Sequence, residues 1–295
     1  MLTLKTSDLN PAQLQNYLQY AIAPRPICFA TTIDKAGQVN LSPFSFFNMF
    51  STNPPMCIFS PARRVRDNTT KHTLDNILEV KECVINIVNY SMVQQMSLAS
   101  TEYGKEVNEF DKSGFTMLPS EMVRPPRVAE APVQFECVVT EVISLGNNPG
   151  AGNLVLAEIK IIHIDEGILD VDGKIDQEKI DLVARLGGDW YCRVTKDNLF
   201  KVPKPLTTLG IGVDALPYAV SNSMVLTGND LGMLGNVASL PSDEDIDDII
   251  KLAEVKDVLD ATIGDPINRT RELHELAKDF LKEGKVDVAL KIVLL

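Results

Sequence analysis

The stretch Asn40-Leu-Ser-Pro-Phe-Ser-Phe-Phe-Asn48 holds two serines, two asparagines, three phenylalanines, one proline and no charge. Upstream runs Pro26-Ile-Cys-Phe-Ala-Thr-Thr32, apolar and β-prone. Asp34-Lys-Ala-Gly37 between them has turn composition. Downstream, Asn53-Pro-Pro55 leads into a second apolar run, Met56-Cys-Ile-Phe-Ser60. The order therefore predicts strand, turn, short strand, uncharged loop, strand. A polar, chargeless loop between buried strands must direct its N–H groups and hydroxyls somewhere. Its own serine and asparagine side chains are one destination and a ligand is the other.

The totals bound what surrounds this segment. A length of 295 residues suggests about two domains. The net charge of −12 argues against nucleic acid and anionic membrane surfaces as partners. No apolar run approaches the roughly 18 residues that a spanning helix needs. Met1-Leu-Thr-Leu-Lys-Thr-Ser7 lacks a basic region followed by an apolar one, so no secretory signal is read and a cytoplasmic location is expected. Five cysteines without a CxxC pair, four of them inside apolar runs, predict buried reduced thiols. No two of the three histidines have metal-ligand spacing, so no metal site is expected.

Further along, Leu14, Leu18 and Ile22 have the spacing of a short amphipathic helix. Arg63, Arg64, Arg66 and Lys71 face a single Asp67, a local surplus of three positive charges. His72-Thr-Leu-Asp-Asn-Ile-Leu-Glu79 then predicts a helix with Leu74, Ile77 and Leu78 on one face. A lysine and a threonine at a helix N-terminus suit an anion, since free N–H groups and the positive dipole end point the same way. Cys83–Val88 predicts a strand. Val133, Phe135, Cys137 and Val139 alternate with polar residues, as a half-buried strand does. Asn153 to Asp165 predicts a long returning strand. Val171-Asp-Gly-Lys174 suggests a hairpin with a type I′ turn.

Six or more antiparallel-type strands with short helices indicate a small closed or nearly closed barrel up to about residue 205, where Pro203-Lys-Pro205 marks an end. Five glycines and few helix cues over 206–240 predict an irregular connector. Three apolar stripes from Pro241 onward predict helices, with Ser242/Asp245 as a capping box and Asp265-Pro266 as a second helix start. Residues 241–295 hold 14 acidic and 8 basic side chains, a charge of −6, half of the total.

Several motifs in this order resemble the flavin reductase-like FMN-binding split-barrel proteins, which include flavoredoxin. They are Arg25-Pro26-Ile27, Thr31-Thr32, Gly37, Asn40-x-Ser42-Pro43-Phe44-Ser45-Phe46-Phe47 and Pro54-Pro55. Lys71-His-Thr73-x-x-Asn76-Ile77 is similar to the family's Lys-Asp-Thr-x-x-Asn-Ile motif on the phosphate side, with His72 replacing the common Asp. Arg127-Val-Ala-Glu-Ala-Pro-Val133 and Glu136-Cys137 match the second half, and Arg185-Leu-Gly-Gly188 with Tyr191 the C-terminal signature.

The resemblance implies a mainly β fold, a six-stranded antiparallel Greek-key split barrel over 1–205. Residues 206–295 then form a connector and helical extension. It implies a homodimer binding FMN, with NAD(P)H as hydride donor and free flavin, a redox partner protein or ferric iron as acceptor. FMN's chemistry distributes roles over the matched residues. The uncharged loop (Asn40, Ser42, Pro43, Phe44, Ser45, Phe46) would meet the ring, Thr31 and Thr32 the ribityl or pyrimidine side. Arg63, Lys71, Thr73 and Asn76 would lie at the phosphate, with Arg185 and Tyr191 from the C-terminal signature. A flavoredoxin-like electron carrier and a non-catalytic FMN-binding module remain open beside the reductase.

Overall fold

The structure is a computed structural model that describes residues 1–206 and 209–295. The chain divides into two compact units, Met1–Leu199 and Phe200–Leu295.

In the first unit Asn10 caps helix α1 (Pro11–Ala21) through a reciprocal box with Gln13. Strand β1 (Cys28–Ile33) turns through Asp34, whose carboxylate accepts the N–H groups of Ala36 and Gln38, into β2 (Val39–Phe44). β3 (Phe47–Thr52) and β4 (Pro55–Phe59) follow, then α2 (His72–Glu79) and β5 (Glu82–Ile87). Short helices α3 (Val93–Leu98) and α4 (Glu109–Ser113) precede a two-stranded pair, β6 (Met117–Leu118) and β7 (Arg127–Val128). The long strands β8 (Val133–Ser144) and β9 (Asn153–Ile164) and a hairpin, β10 (Val183–Arg185) with β11 (Tyr191–Arg193), complete it.

The main sheet is antiparallel and runs β2-β1-β5-β8-β9-β4-β3. Its two edge strands are consecutive in the chain, separated only by Ser45 and Phe46. Two residues cannot span an open seven-stranded sheet, so the sheet curls until the end of β2 comes to the start of β3, and the N–H of Ser60 bonds the carbonyl of Phe46 at 2.9 Å near that seam. This corrects the expected strand number from six to seven. The stretch expected as an uncharged loop is mostly strand, paired with β1 from Cys28↔Phe44 to Ile33↔Val39. Pro43 is tolerated because β2 is an edge. Helix makes up 33% of the chain, so "mainly β" describes the first unit alone.

Period-2 alternation fills the barrel. Cys28, Ala30, Cys57, Phe59, Cys83, Ile85, Cys137, Val139, Val155 and Ala157 form its interior. All four of these thiols are free and buried. Burial raises Cys28 far above its ordinary value and Cys57 to about 11. A hydrogen bond with Cys83, together with burial, does the same to Cys137. Phe29 and Leu41 point outward, under Met92, Met96, Phe110 and Phe115.

Three local expectations change. The first half of β8 is buried on both faces, because residues 119–131 cover Gln134 and Glu136. The core-facing side of α2 is Thr73, Leu74, Asn76 and Ile77, while Leu78 is exposed. Around Val171–Lys174 only Gly173 has positive φ (74°), and Leu169↔Ile175 is an isolated bridge. A type I′ turn needs two positive φ values, so this is an Asp170-capped turn instead.

The second unit is helical: α5 (Tyr218–Ser221), α6 (Gly228–Gly235), α7 (Asp243–Ile249), α8 (Ala253–Ala261), α9 (Pro266–Lys282) and α10 (Val286–Val293). Leu234, Val255, Leu273, Ala277, Leu281, Ala289 and Ile292 form its core. α6 lies inside the expected irregular connector. A capping box between Thr227 and Asp230 starts it despite the glycines. Among the described residues no helix is long and apolar enough to cross a membrane.

Candidate functional site

A cavity of about 810 Å³ opens beside the seam of the barrel. Its floor is the β2–β3 connector with Pro43, Phe44, Ser45 and Phe46. One wall is α1, through Leu14, Leu18 and Ile22. The opposite wall is the chain after β4, with Ser60, Arg63 and Arg64, closed by Lys71 at the start of α2. Among the described residues that line it, none is acidic, although the chain carries −12 overall.

The basic segment is less free than its composition implies. Arg63 spends its guanidinium on Asn68, with Nε 2.7 Å from Oδ1. Arg64 donates to Glu102 (3.0 Å) and Thr69 (2.8 Å), and Arg66 reaches Glu102 at 2.7 Å. Thr69 and Arg66 hold the Asp67 carboxyl down to about 2. Lys71 differs. Among the described residues its ammonium has no ion pair and no hydrogen bond, and it lies 5.0 Å over the ring of Phe44. Burial, then the neighbouring Arg64 charge, lowers its pKa from the usual lysine value. Half-buried on the cavity wall, with the nearby Glu102 carboxylate already bound by Arg64 and Arg66, Lys71 is a cation that an anion completes.

The cavity brings together Pro43, Phe44, Ser45, Phe46, Arg63 and Lys71 of the residues singled out from the sequence. It does not contain Thr32, Asn40, Thr73 or Asn76, buried in a polar layer between α2 and the sheet, nor Thr31, buried on the other face of β1 beside Asn86. Asn40 Nδ2 donates to Thr73 Oγ1 at 2.9 Å, Asn76 Nδ2 to Thr32 Oγ1 at 3.2 Å, and Asn86 Nδ2 to Thr31 Oγ1 at 3.2 Å. Ser42 is half-buried opposite Ala30 and does not line the cavity. Arg185 and Tyr191 lie in a separate cleft of about 350 Å³, the guanidinium 4.6 Å over the Tyr191 ring.

Arg25 is the residue that the sequence reading left without a role. It is 7% exposed and donates to the carbonyls of Gln19, Ile22 and Leu186, with Nε 3.4 Å from Ser45 Oγ. One guanidinium thus ties the end of α1, the Arg185–Gly188 loop and the cavity floor. An arginine between two prolines, Pro24-Arg25-Pro26, was the available signal. Gly187 completes the anchorage: a Cβ there would stand 2.3 Å from the Tyr20 ring. Gly187→Ala is expected to force Tyr20 off its seat and lower stability by about 1–3 kcal/mol, read as a drop in the denaturation midpoint. An unchanged midpoint would show the contact to be slack.

The comparisons agree with this architecture. An uncharacterized protein of Aquifex aeolicus is 36% identical over 181 residues, 61% of this chain and 90% of that protein. Nitrilotriacetate monooxygenase component B from Bacillus cereus superposes with a TM-score of 0.64 at 27% identity, covering 68% of this chain and 98% of that one. A candidate flavin reductase with a split barrel domain from Shewanella frigidimarina gives 0.58 at 27% identity, covering 67% and 95%. The family model described as the flavin reductase like domain matches residues 20–177. That span is more than half of the sequence and contains all seven strands of the main sheet and the cavity floor, though not α1, so the chain belongs to the flavin reductase-like family.

Proposed function

We propose that this protein is an FMN-binding oxidoreductase, an NAD(P)H-dependent flavin reductase that passes electrons on to free flavin, a partner protein or ferric iron. The observation that carries the reading is Lys71, a half-buried cation with no direct ion pair among the described residues, on the wall of an acid-free cavity. A terminal phosphate is the complement of that end. The uncharged connector and the aliphatic face of α1 suit a flat ring. The residues present therefore fit FMN, with Lys71 at the phosphate, Arg64 behind it, and Ser45 and Ser60 as hydroxyl partners. Bound FMN supplies the hydride-accepting ring, and the protein's own residues bind, orient and exclude water. That one similar structure is component B of a monooxygenase supports a role beside a second component.

The same reading includes a homodimer. Met49 and Phe50 on edge strand β3 are 63% and 64% exposed, next to Phe46 on the cavity floor. Such a face suits a second copy. Light scattering at micromolar concentration tests this, and a monomer would count against it.

Steady-state oxidation of NADH and NADPH, with and without added FMN, tests the function. FMN-dependent oxidation with FMN bound more tightly than riboflavin is the expected result. Equal affinity for the two flavins, or no nicotinamide oxidation with FMN present, would overturn it.

A further inference from the structure

Helix α1 has an apolar stripe with no protein partner to match it. Leu14, Leu18 and Ile22 recur at four-residue intervals, yet α1 has no buried residue, and Leu18 and Ile22 are 48% and 63% exposed. All three line the cavity. Among the described residues, the hydrogen bonds tying α1 to the rest of its unit are at its C-terminal end, from Arg25 to the carbonyls of Gln19 and Ile22. The helix stands over the cavity from one tether, with aliphatic side chains turned to water that an occupant would displace.

The cavity is therefore asymmetric in its chemistry. One wall is aliphatic, the floor carries a hydroxyl and an aromatic ring, and the far end holds an ammonium with no direct ion pair among the described residues. A molecule with a flat apolar part and an anionic end is its complement. A second protein chain would meet Lys71 only by carrying an acidic side chain past the aliphatic wall into the cavity.

We infer that α1 is the wall on which the ring system of FMN rests, with Leu14 and Leu18 setting the affinity for the ring as Lys71 sets the affinity for the phosphate. This rests on the flavin reading above and adds an affinity determinant that the sequence motifs do not contain. Two independent contributions follow. Changes on α1 act on every flavin alike, and changes at Lys71 act only on phosphorylated ones.

The test is the full-length Leu14→Gln/Leu18→Gln protein beside the parent, titrated with FMN and with riboflavin by flavin fluorescence, with inorganic phosphate as competitor. Neither position is buried and glutamine keeps helix propensity, so the thermal midpoint should stay within error. Both flavins are expected to weaken about tenfold, by the same factor, with the phosphate inhibition constant unchanged. Unchanged flavin constants in the double variant would overturn the inference and leave the flavin reading standing. Unchanged constants with a shift from dimer to monomer in light scattering would assign the stripe to a second copy, and overturn it too. If the parent binds neither flavin, the functional reading fails, and this inference fails with it.

Discussion

Glu136→Ala is expected to destabilise the first unit by about 3–5 kcal/mol, lowering its melting temperature by roughly 6–20 °C. The side chain is fully buried on β8 and accepts three consecutive amides, from Glu121 (2.8 Å), Met122 (2.7 Å) and Val123 (3.3 Å). His163 on β9 approaches the same carboxylate at 2.8 Å. Truncation leaves three donors and an imidazole without an acceptor in a dry place, which costs far more than the net value of the bonds. Burial alone works against the carboxylate, but the amides of Glu121 and Met122, then His163 and Val123, outweigh it. The Glu136 carboxyl therefore titrates below its usual value. A depressed folded pKa means that this stabilisation is complete above the unfolded value of about 4.3 and is lost as pH falls through the folded one. Unfolding midpoints from pH 7 to pH 3 check both parts: the wild type should lose stability on the acid side, and Glu136→Gln should start lower with a flatter profile. A variant matching the wild type at pH 7 would refute the role given to this carboxylate.

Lys71→Ala is expected to weaken FMN binding roughly ten- to hundredfold while riboflavin is nearly unaffected. The lost contact is a charge-assisted bond to phosphate worth about 1.5–3 kcal/mol. The sign of the pH effect follows from the lowered pKa. Free Lys71 gives up its proton at lower pH than an ordinary lysine, so FMN affinity should decline on the alkaline side earlier than a solvated lysine would allow. Lys71→Ala should lack that decline. Since the cation is half-buried with no direct ion pair among the described residues, Lys71→Met should bind FMN poorly and yet lose little stability. Isothermal titration with both flavins and a denaturant series measure these. Equal losses for FMN and riboflavin would remove Lys71 from the phosphate.

The strands were legible because a pleated strand writes its burial at every second residue. Cys28, Ala30, Cys137 and Val139 all point into the barrel, as their alternation indicates. The burial of Glu136 was not legible, since the segment that covers it comes from residues 121–123 and alternation reports one face only. Part of the candidate site was legible for a similar reason. Pro43–Phe46 and Lys71 show as composition, a chargeless run and a basic cluster. Thr73 and Asn76 depend on the rotation of α2 about its axis. Hydrophobicity put Leu78 inward, whereas Asn40 and Thr32 offer partners that draw Thr73 and Asn76 to the core side. Which cations were already spent depended on Asn68 and Glu102, and no spacing rule shows that Arg64 and Arg66 share a carboxylate 36 residues or more away.

The two residues joining the outermost strands, Ser45 and Phe46, make the barrel a belt fastened by its own buckle. Most peptide links in a closed sheet could be cut while neighbouring hydrogen bonds kept the ring together. A break here would unfasten it, leaving two free strand edges of six residues each, one bearing Met49 and Phe50. The same link is the floor of the ligand cavity, so a molecule seated there lies across the buckle. New termini and inserted sequences are better tolerated at the Asp170-capped turn around Val171–Lys174, where Val171 is fully exposed, than anywhere between Phe44 and Phe47.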